Sequence, residues 1–460
     1  MCARASILVG LLWCLALLSV VVIGVLHTAR MDLLVVKNYG DRIQAHYLAL
    51  AGIEKAEALL YRDAHDRSGR RQNHSGELYN APQQFRNVVF GRGQFRVFRR
   101  GRQDEGGGLI YGVSDEESRL NVNTASADEL AKLDGITPDI ATAIIGWRGG
   151  SDVPTTAKAE ADYYLSLQPP YLPRNGPFQT IRELLMVRGI SPALLLGKDI
   201  HQNGLLPSAE DEAGDSASAS LASDVDTGWA GIMTVDSSVK NLNAAGEDRV
   251  NVQTADEASL TSVRGITPEI ARAIVAYRGQ HQFQTIADLL DVPAAQNQNQ
   301  NQRSPGMGEA GQPSSDQSQS TNTTAAASGP KVISENLLMD VADDVTVSSD
   351  KDLPGVINLN TASLDVLACL PGVDRELAQA IISFRQSNGF YPNVAWLLKV
   401  DGMTRDIFKQ VVPLVSARSE TFRILSEGQI TSTGARQRIL ETVHVDLNGL
   451  KTLSYREDDL

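Results

Sequence analysis

The chain has 460 residues, enough for roughly two to four domains. Its net charge of −13 disfavours nucleic acid as a partner for the whole molecule. Of its three cysteines only Cys369 lies outside the first segment, so an exported part forms no intrachain disulfide, and none of the seven histidines pairs at zinc-ligand spacing.

From Ile7 to Leu26 every residue is apolar, glycine or Ser19. About twenty such residues, at roughly 1.5 Å each, span a hydrocarbon core near 30 Å, and only a helix satisfies its own backbone there. No proline occurs between Met31 and Tyr61, while Ala45, Leu48, Ala49, Gly52, Ile53, Ala56, Leu59 and Leu60 recur at helical spacing. The pattern predicts one helix over 1–60, half in lipid, with its outer half packed on a soluble domain. The run is too long for a cleaved secretory signal, and Leu26 to Arg30 is a poor cleavage site. The N-terminus is expected in the cytoplasm, with the bulk exported.

Between Arg62 and Arg102 stand ten arginines against Asp63, Asp66 and Glu77. Val89, Gln94 to Phe98 and Leu109 to Tyr111 alternate apolar with polar between glycines, which predicts strands of a small antiparallel sheet over 61–120. The arginines are then expected on its solvated outer edge, facing an acidic partner.

An internal repeat follows. Asn121-Val122-Asn123-Thr124-Ala125, Asn251-Val252-Gln253-Thr254-Ala255 and Asn358-Leu359-Asn360-Thr361-Ala362 lead at one spacing to Gly135, Gly265 and Gly372, then to Arg148, Arg278 and Arg385. Thr124, Thr254 and Thr361 are predicted helix caps, with Glu257 completing a capping box on Thr254. Each Gly suits a left-handed helix end, and Pro138 and Pro268 suit the first turn of a second helix. This is a helix–hairpin–helix pattern, in three predicted units over 121–206, 231–293 and 331–417. An acidic linker at 207–230 and a Gln/Asn/Ser-rich linker at 294–330, expected to be disordered, separate them. Strand-like alternation returns in 418–460 and would complete the sheet. The fold class is thus α+β: a long N-terminal membrane helix, an antiparallel sheet and inserted all-helical units.

With these residues in view the chain resembles the minor pseudopilin K family of type II secretion systems, also called the general secretion pathway protein K family. Arg4 to Val9 is similar to its processing site, Ala45 to Leu60 to its helix, Asp115 to Ala125 to its strand-to-helix junction, and Arg418 to Ile424 to its late strand. The resemblance implies a pilin-like α/β part and prepilin peptidase cleavage between Ala5 and Ser6, although the family usually has Gly where Ala5 stands. It also implies inner-membrane anchoring with the bulk in the periplasm, and a place at the pseudopilus tip with the minor pseudopilins I and J. At mature position five, counted from Ser6, stands Gly10, and the K family likewise lacks the glutamate of major pseudopilins. A carboxylate in lipid is costly without a partner, and a subunit at the tip has no neighbour above it. Members can bind calcium; the acidic residues near Asp343 and Asp350 are the candidates here, without an assigned ligand set.

A membrane-anchored DNA receptor of the competence type is the alternative, because its family carries similar hairpin text. Thr137, Thr267 and Asp374 stand where its second hairpin glycine would be, and Asp374 would repel phosphate. An enzyme would have to use acidic pairs such as Asp115-Glu116 or Asp343-Asp344. Such pairs are expected as solvated surface, with no nucleophile or base beside them.

Overall fold

A computed structural model describes residues 2–73, 76–149, 156–199, 227–294 and 331–457. The first helix, α1, runs from Cys2 to Arg70, past its expected end at Leu60. Its apolar side chains from Val9 to Val36 are exposed, whereas Ala45, Ala49, Ile53, Ala56, Leu60 and Ala64 are buried. Small residues let helix and sheet come close. A Cβ on Gly52 would meet Ser426 Oγ at 2.2 Å, and one on Gly428 would meet the Ala45 carbonyl at 2.0 Å.

Both chain ends build the sheet. Its strands are β1 (Val88–Phe90), β2 (Gly93–Val97), β3 (Ser114–Asp115), β4 (Thr421–Ile430), β5 (Arg436–Asp446) and β6 (Gly449–Arg456). They pair antiparallel in the order β1-β2-β4-β5-β6, with β3 alongside the start of β4 at Phe422 and Arg423. Alternation puts Val97, Phe422, Ile424, Ile439 and Val443 beneath α1. The chain leaves the sheet after Asp115, builds the helical units, and returns at Thr421.

Of the ten arginines expected at the solvated edge, Arg62, Arg70, Arg71, Arg86 and Arg92 are exposed, whereas Arg96, Arg99 and Arg102 are drawn in by acidic partners. Arg99 is buried and makes two bonds to Glu105, at 2.8 and 2.7 Å. Arg96 lies 2.8 Å from Glu427, which also accepts from Arg438, and Arg102 lies 3.0 Å from Asp104. Glu427 comes from β4, 331 positions along the chain from Arg96, whereas Asp104 and Glu105 come from the turn that directly follows Arg102.

Each helical unit opens with a two-residue strand and closes with a parallel partner. Leu120–Asn121 pairs with Met233–Thr234, Val250–Asn251 with Val345–Thr346, and Ile357–Asn358 with Val415–Ser416. The unit boundaries therefore differ from those read along the chain. Met233–Thr234 closes unit 1 instead of opening unit 2, and Lys331 to Thr346 belongs to unit 2. The 294–330 linker interrupts the second hairpin of unit 2, where the Val332 amide still bonds to the Val292 carbonyl at 3.1 Å. Composition marks linkers, but strand partners are set across the fold. Nearly all of both linkers lies outside the described residues.

Within the units Gly135, Gly265 and Gly372 take φ of +83°, +98° and +72°, as the hairpin pattern requires. Thr137, Thr267 and Asp374 cap the helix that follows, their oxygens accepting from Ile140, Ile270 and Leu377 amides. The first helices are capped two residues later than expected, by Ser126, Asp256 and Ser363 rather than by the threonines. Ser126 and Glu129 form the capping box. One apolar core runs through all three units.

Candidate functional site

The repeated Asn and Gln residues bond alike in all three units, and the arginines of units 1 and 2 do so as well. The first Asn folds over its own loop, accepting from the amide two residues on: Asn123 to Asn121 at 2.8 Å, Gln253 to Asn251 at 2.9 Å, Asn360 to Asn358 at 2.9 Å. Its NH₂ donates to the segment after the closing strand, at Ser237 Oγ (3.0 Å), the Ser348 carbonyl (3.2 Å) and Ser419 Oγ (2.7 Å). Asn123, Gln253 and Asn360 accept from the amides of Phe178, Phe283 and Tyr391. Arg148 donates to the Val122 and Ala125 carbonyls, and Arg278 to those of Val252 and Ala255. The signature thus closes units 1 and 2 on themselves, while in unit 3 Arg385 also donates to Asp104 of the sheet region.

The units meet the sheet at Asp115-Glu116-Glu117. All three carboxylates are buried, contrary to the expectation of a solvated Asp115-Glu116 pair. Asp115 accepts from Asn358 at 3.0 Å, from Ser419 at 2.5 Å, from the Thr361 hydroxyl and, on its other oxygen, from the Glu117 amide at 2.8 Å. Glu116 accepts from Thr234 at 2.6 Å and lies 2.7 Å from Arg423 and 3.3 Å from Arg119. Glu117 accepts from the Ser238 amide at 3.2 Å and the Thr421 amide at 3.1 Å. One tripeptide therefore ties β4, the closing strand of unit 1, the connection after it and the opening of unit 3. A buried charge persists only when paired or hydrogen-bonded, and these donors come from four separate stretches of chain.

The charges are divided between the carboxylates. Burial pushes the Glu116 carboxyl up, but Arg119 and Arg423 outweigh it and hold it below its ordinary value. Burial, and then the neighbouring Asp115 charge, push Glu117 well above the ordinary range. Burial and Asp115 also push the Tyr79 phenol upward. Arg119 is drawn down to about 10 by burial and by Arg423. No feature of the sequence marked this tripeptide as buried, since acidic runs usually face water. Its only flag was its place between a strand and the first repeat.

The other expected residues scatter. Ala5 and Ser6 lie on the backbone of α1, near its start. Gly10 lies exposed on α1, with nothing within 4 Å of where a Cβ would stand. Gly135, Gly265 and Gly372 each sit against the second hairpin of their own unit, near Leu194, Leu337 and Ile407. Asp343 is engaged by Arg249 at 3.1 Å, Asn73 at 2.8 Å and the Ala244 amide at 2.7 Å. Asp344 accepts from Asn243 at 2.9 Å, and Asp350 from Ser348 at 3.2 Å. No cluster of three or more metal-ligating side chains occurs among the described residues.

Comparison with known proteins divides the chain in the same way. Residues 114–196 match the family "Type II secretion system (T2SS), protein K", and residues 246–302 and 355–416 match the helix-hairpin-helix motif. The endonuclease/exonuclease/phosphatase family domain-containing protein 1 of Bos taurus is 27% identical over 179 residues, 38% of this chain and 25% of that protein. ComE operon protein 1 of Bacillus subtilis is 30% identical over 73 residues, 16% of this chain and 36% of that one. The chain thus spans about a quarter to a third of the lengths of these relatives. The GspK-GspI-GspJ complex of the enterotoxigenic Escherichia coli type 2 secretion system aligns over 90% of this chain and 97% of that one, with 12% identity and a TM-score of 0.35. The α1 helix is long and apolar enough to cross a membrane. The stretch that matches the protein K family model thus runs from the sheet's third strand into unit 1, and the hairpin-motif matches cover most of units 2 and 3.

Proposed function

We propose that this chain is a non-enzymatic minor pseudopilin of the K type, at the tip of a type II secretion pseudopilus, where it helps start assembly and protein export across the outer membrane. The observation that carries this reading is the protein K domain at 114–196 hung from a sheet that packs on a single long apolar helix. On this reading α1 anchors the chain once in the bacterial inner membrane, with its bulk in the periplasm. Prepilin peptidase cuts between Ala5 and Ser6, and the minor pseudopilins I and J are its partners. Gly10 supports a tip position, because no carboxylate there needs a neighbour above. Co-expression with I and J followed by co-purification tests it: failure to associate with either overturns the partner assignment. N-terminal sequencing after co-expression with the peptidase should read Ser6 first, and an intact Met1 counts against processing.

The helix-hairpin-helix matches and the likeness to ComE operon protein 1 favour a second reading, an anchored DNA-binding protein. Against it, Thr137, Thr267 and Asp374 occupy, with their own oxygens, helix-start amides that a phosphate would need. The chain's net charge of −13 also opposes DNA. Tight, salt-sensitive binding to duplex DNA in a gel-shift titration would reverse this preference.

A further inference from the structure

The two edges of the sheet are built differently. β1 is three residues long and lies between Asn87 and Gly91, whose φ of +47° and +61° break the extended chain at both ends. A strand that short offers a partner little backbone. β6 runs eight residues without a proline, about 26 Å at ~3.3 Å per residue, and β5 is its one neighbour among the described residues. The Val445 amide donates to the Glu420 carbonyl at 2.7 Å, on the β4 side and away from β6. Its β6 partner Leu450 therefore has its own amide and carbonyl on the open side, as does Thr452, the partner of Val443. A row of unpaired backbone groups is a template for a further strand.

The face shared with α1 decides what that strand carries. Val443 and Val445 pack beneath the helix, and Glu441 continues their alternation. Opposite these three stand Thr452, Leu450 and Tyr455 of β6, with Leu450 39% and Tyr455 47% exposed. Glu54 and Glu57 of α1 lie close enough to Glu441 for the charges to oppose one another. Thr452 donates to Glu441 at 2.7 Å, but Glu54, Glu57 and Glu441 form no ion pair among the described residues. Burial, then Glu441 and Glu54, push the Glu57 carboxyl up to about 7. The cations of β6, Lys451 and Arg456, are partners of His444 and Leu440 and stand on the opposite face. An incoming strand with lysine or arginine on the α1 face sets its charge among these carboxylates and its apolar residues beside Leu450 and Tyr455.

Other occupants do not fit this border. A second copy paired edge to edge brings the same carboxylates and no β6 cation on that face. Nucleic acid or an anionic lipid surface meets like charge.

We infer that the open edge of β6, through the backbone of Leu450 and Thr452 and the carboxylates of Glu54, Glu57 and Glu441, takes up an extended segment of another protein that carries lysine or arginine at alternate positions. This does not rest on assembly with I and J. The test places the photo-reactive residue p-benzoylphenylalanine at Tyr455 of the full chain in cells that make it, with Val89 on the β1 edge as control. Light should give an adduct with another protein from position 455 and not from 89, mapped to a segment carrying Lys or Arg. Leu450→Pro removes one open-side amide and should cut the adduct at least tenfold, whereas Leu450→Ala keeps that amide and should leave most of the adduct. Glu54→Gln with Glu57→Gln should cut it at least fivefold, with the melting temperature kept. No adduct, an adduct within the chain, to a second copy or to lipid, a mapped segment without Lys or Arg, or indifference to the proline or to the charge removal overturns the inference.

Discussion

Arg278 and Arg385 hold equivalent places late in the second helix of their units, yet they do different things. Arg278 gives both its bonds to its own unit, at the Val252 and Ala255 carbonyls. Arg385 gives one to the Leu359 carbonyl at 2.8 Å and turns the other to Asp104 of the sheet region at 2.7 Å. The asparagines behave alike. Asn251 binds only backbone of its own unit's loop and closing segment, whereas Asn358 also reaches the buried Asp115. In unit 2 these signature residues bond only within the unit, and in unit 3 the same residues also join the unit to the sheet region. An identical local motif can thus serve as internal closure or as a joint, according to what the rest of the chain brings next to it.

Mutations should separate the two uses. The largest effect is expected at the joint. Asp115→Ala strands the Asn358, Thr361 and Ser419 donors and should cost about 3–5 kcal/mol in urea unfolding, against about 1–2 kcal/mol for Asn251→Ala. Equal losses would erase the distinction. Next, Arg385→Ala should cost about 2–4 kcal/mol and Arg278→Ala about 1–2 kcal/mol. Only the former should speed hydrogen exchange in the 103–108 segment, because Asp104 loses its bond across the interface.

A smaller effect is expected from pH. Glu117 is held well above the ordinary carboxylate value of 4.5 by burial and by Asp115. The folded chain therefore keeps a proton there that the unfolded chain releases above pH 4.5. Stability from this group is full below that pH and is lost as pH rises towards the folded value. Glu117→Gln should flatten this fall, so the variant gains on the parent chain with rising pH in thermal melts. A constant difference between the two would show that Glu117 does not titrate across the folding transition.

Much of this architecture was legible in local text. The apolar run before Leu26 and the small-residue stripe to Leu60 define α1, since helical period and length are local properties. Asn121, Asn251 and Asn358, each set fourteen residues before its hairpin glycine, fixed the number and turn chemistry of the units. Less legible were the closing strands, which are two residues long and carry no periodic signal. The threonines of the repeat were read as caps, but Ser126, Asp256 and Ser363 lie closer to the helix start and take that role.

The sequence by itself determined the long helix, the sheet at both chain ends and the three hairpin units, because spacing and turn residues act between near neighbours. Only the tertiary structure decided which strand closes which unit, where the second linker interrupts unit 2, and that Asp115-Glu116-Glu117 is buried. It also decided that the arginines of 96–102 find acceptors within the chain. Apart from the local turn that brings Asp104 and Glu105 to Arg102 and Arg99, these depend on groups far apart in sequence, which meet only when the sheet packs on α1.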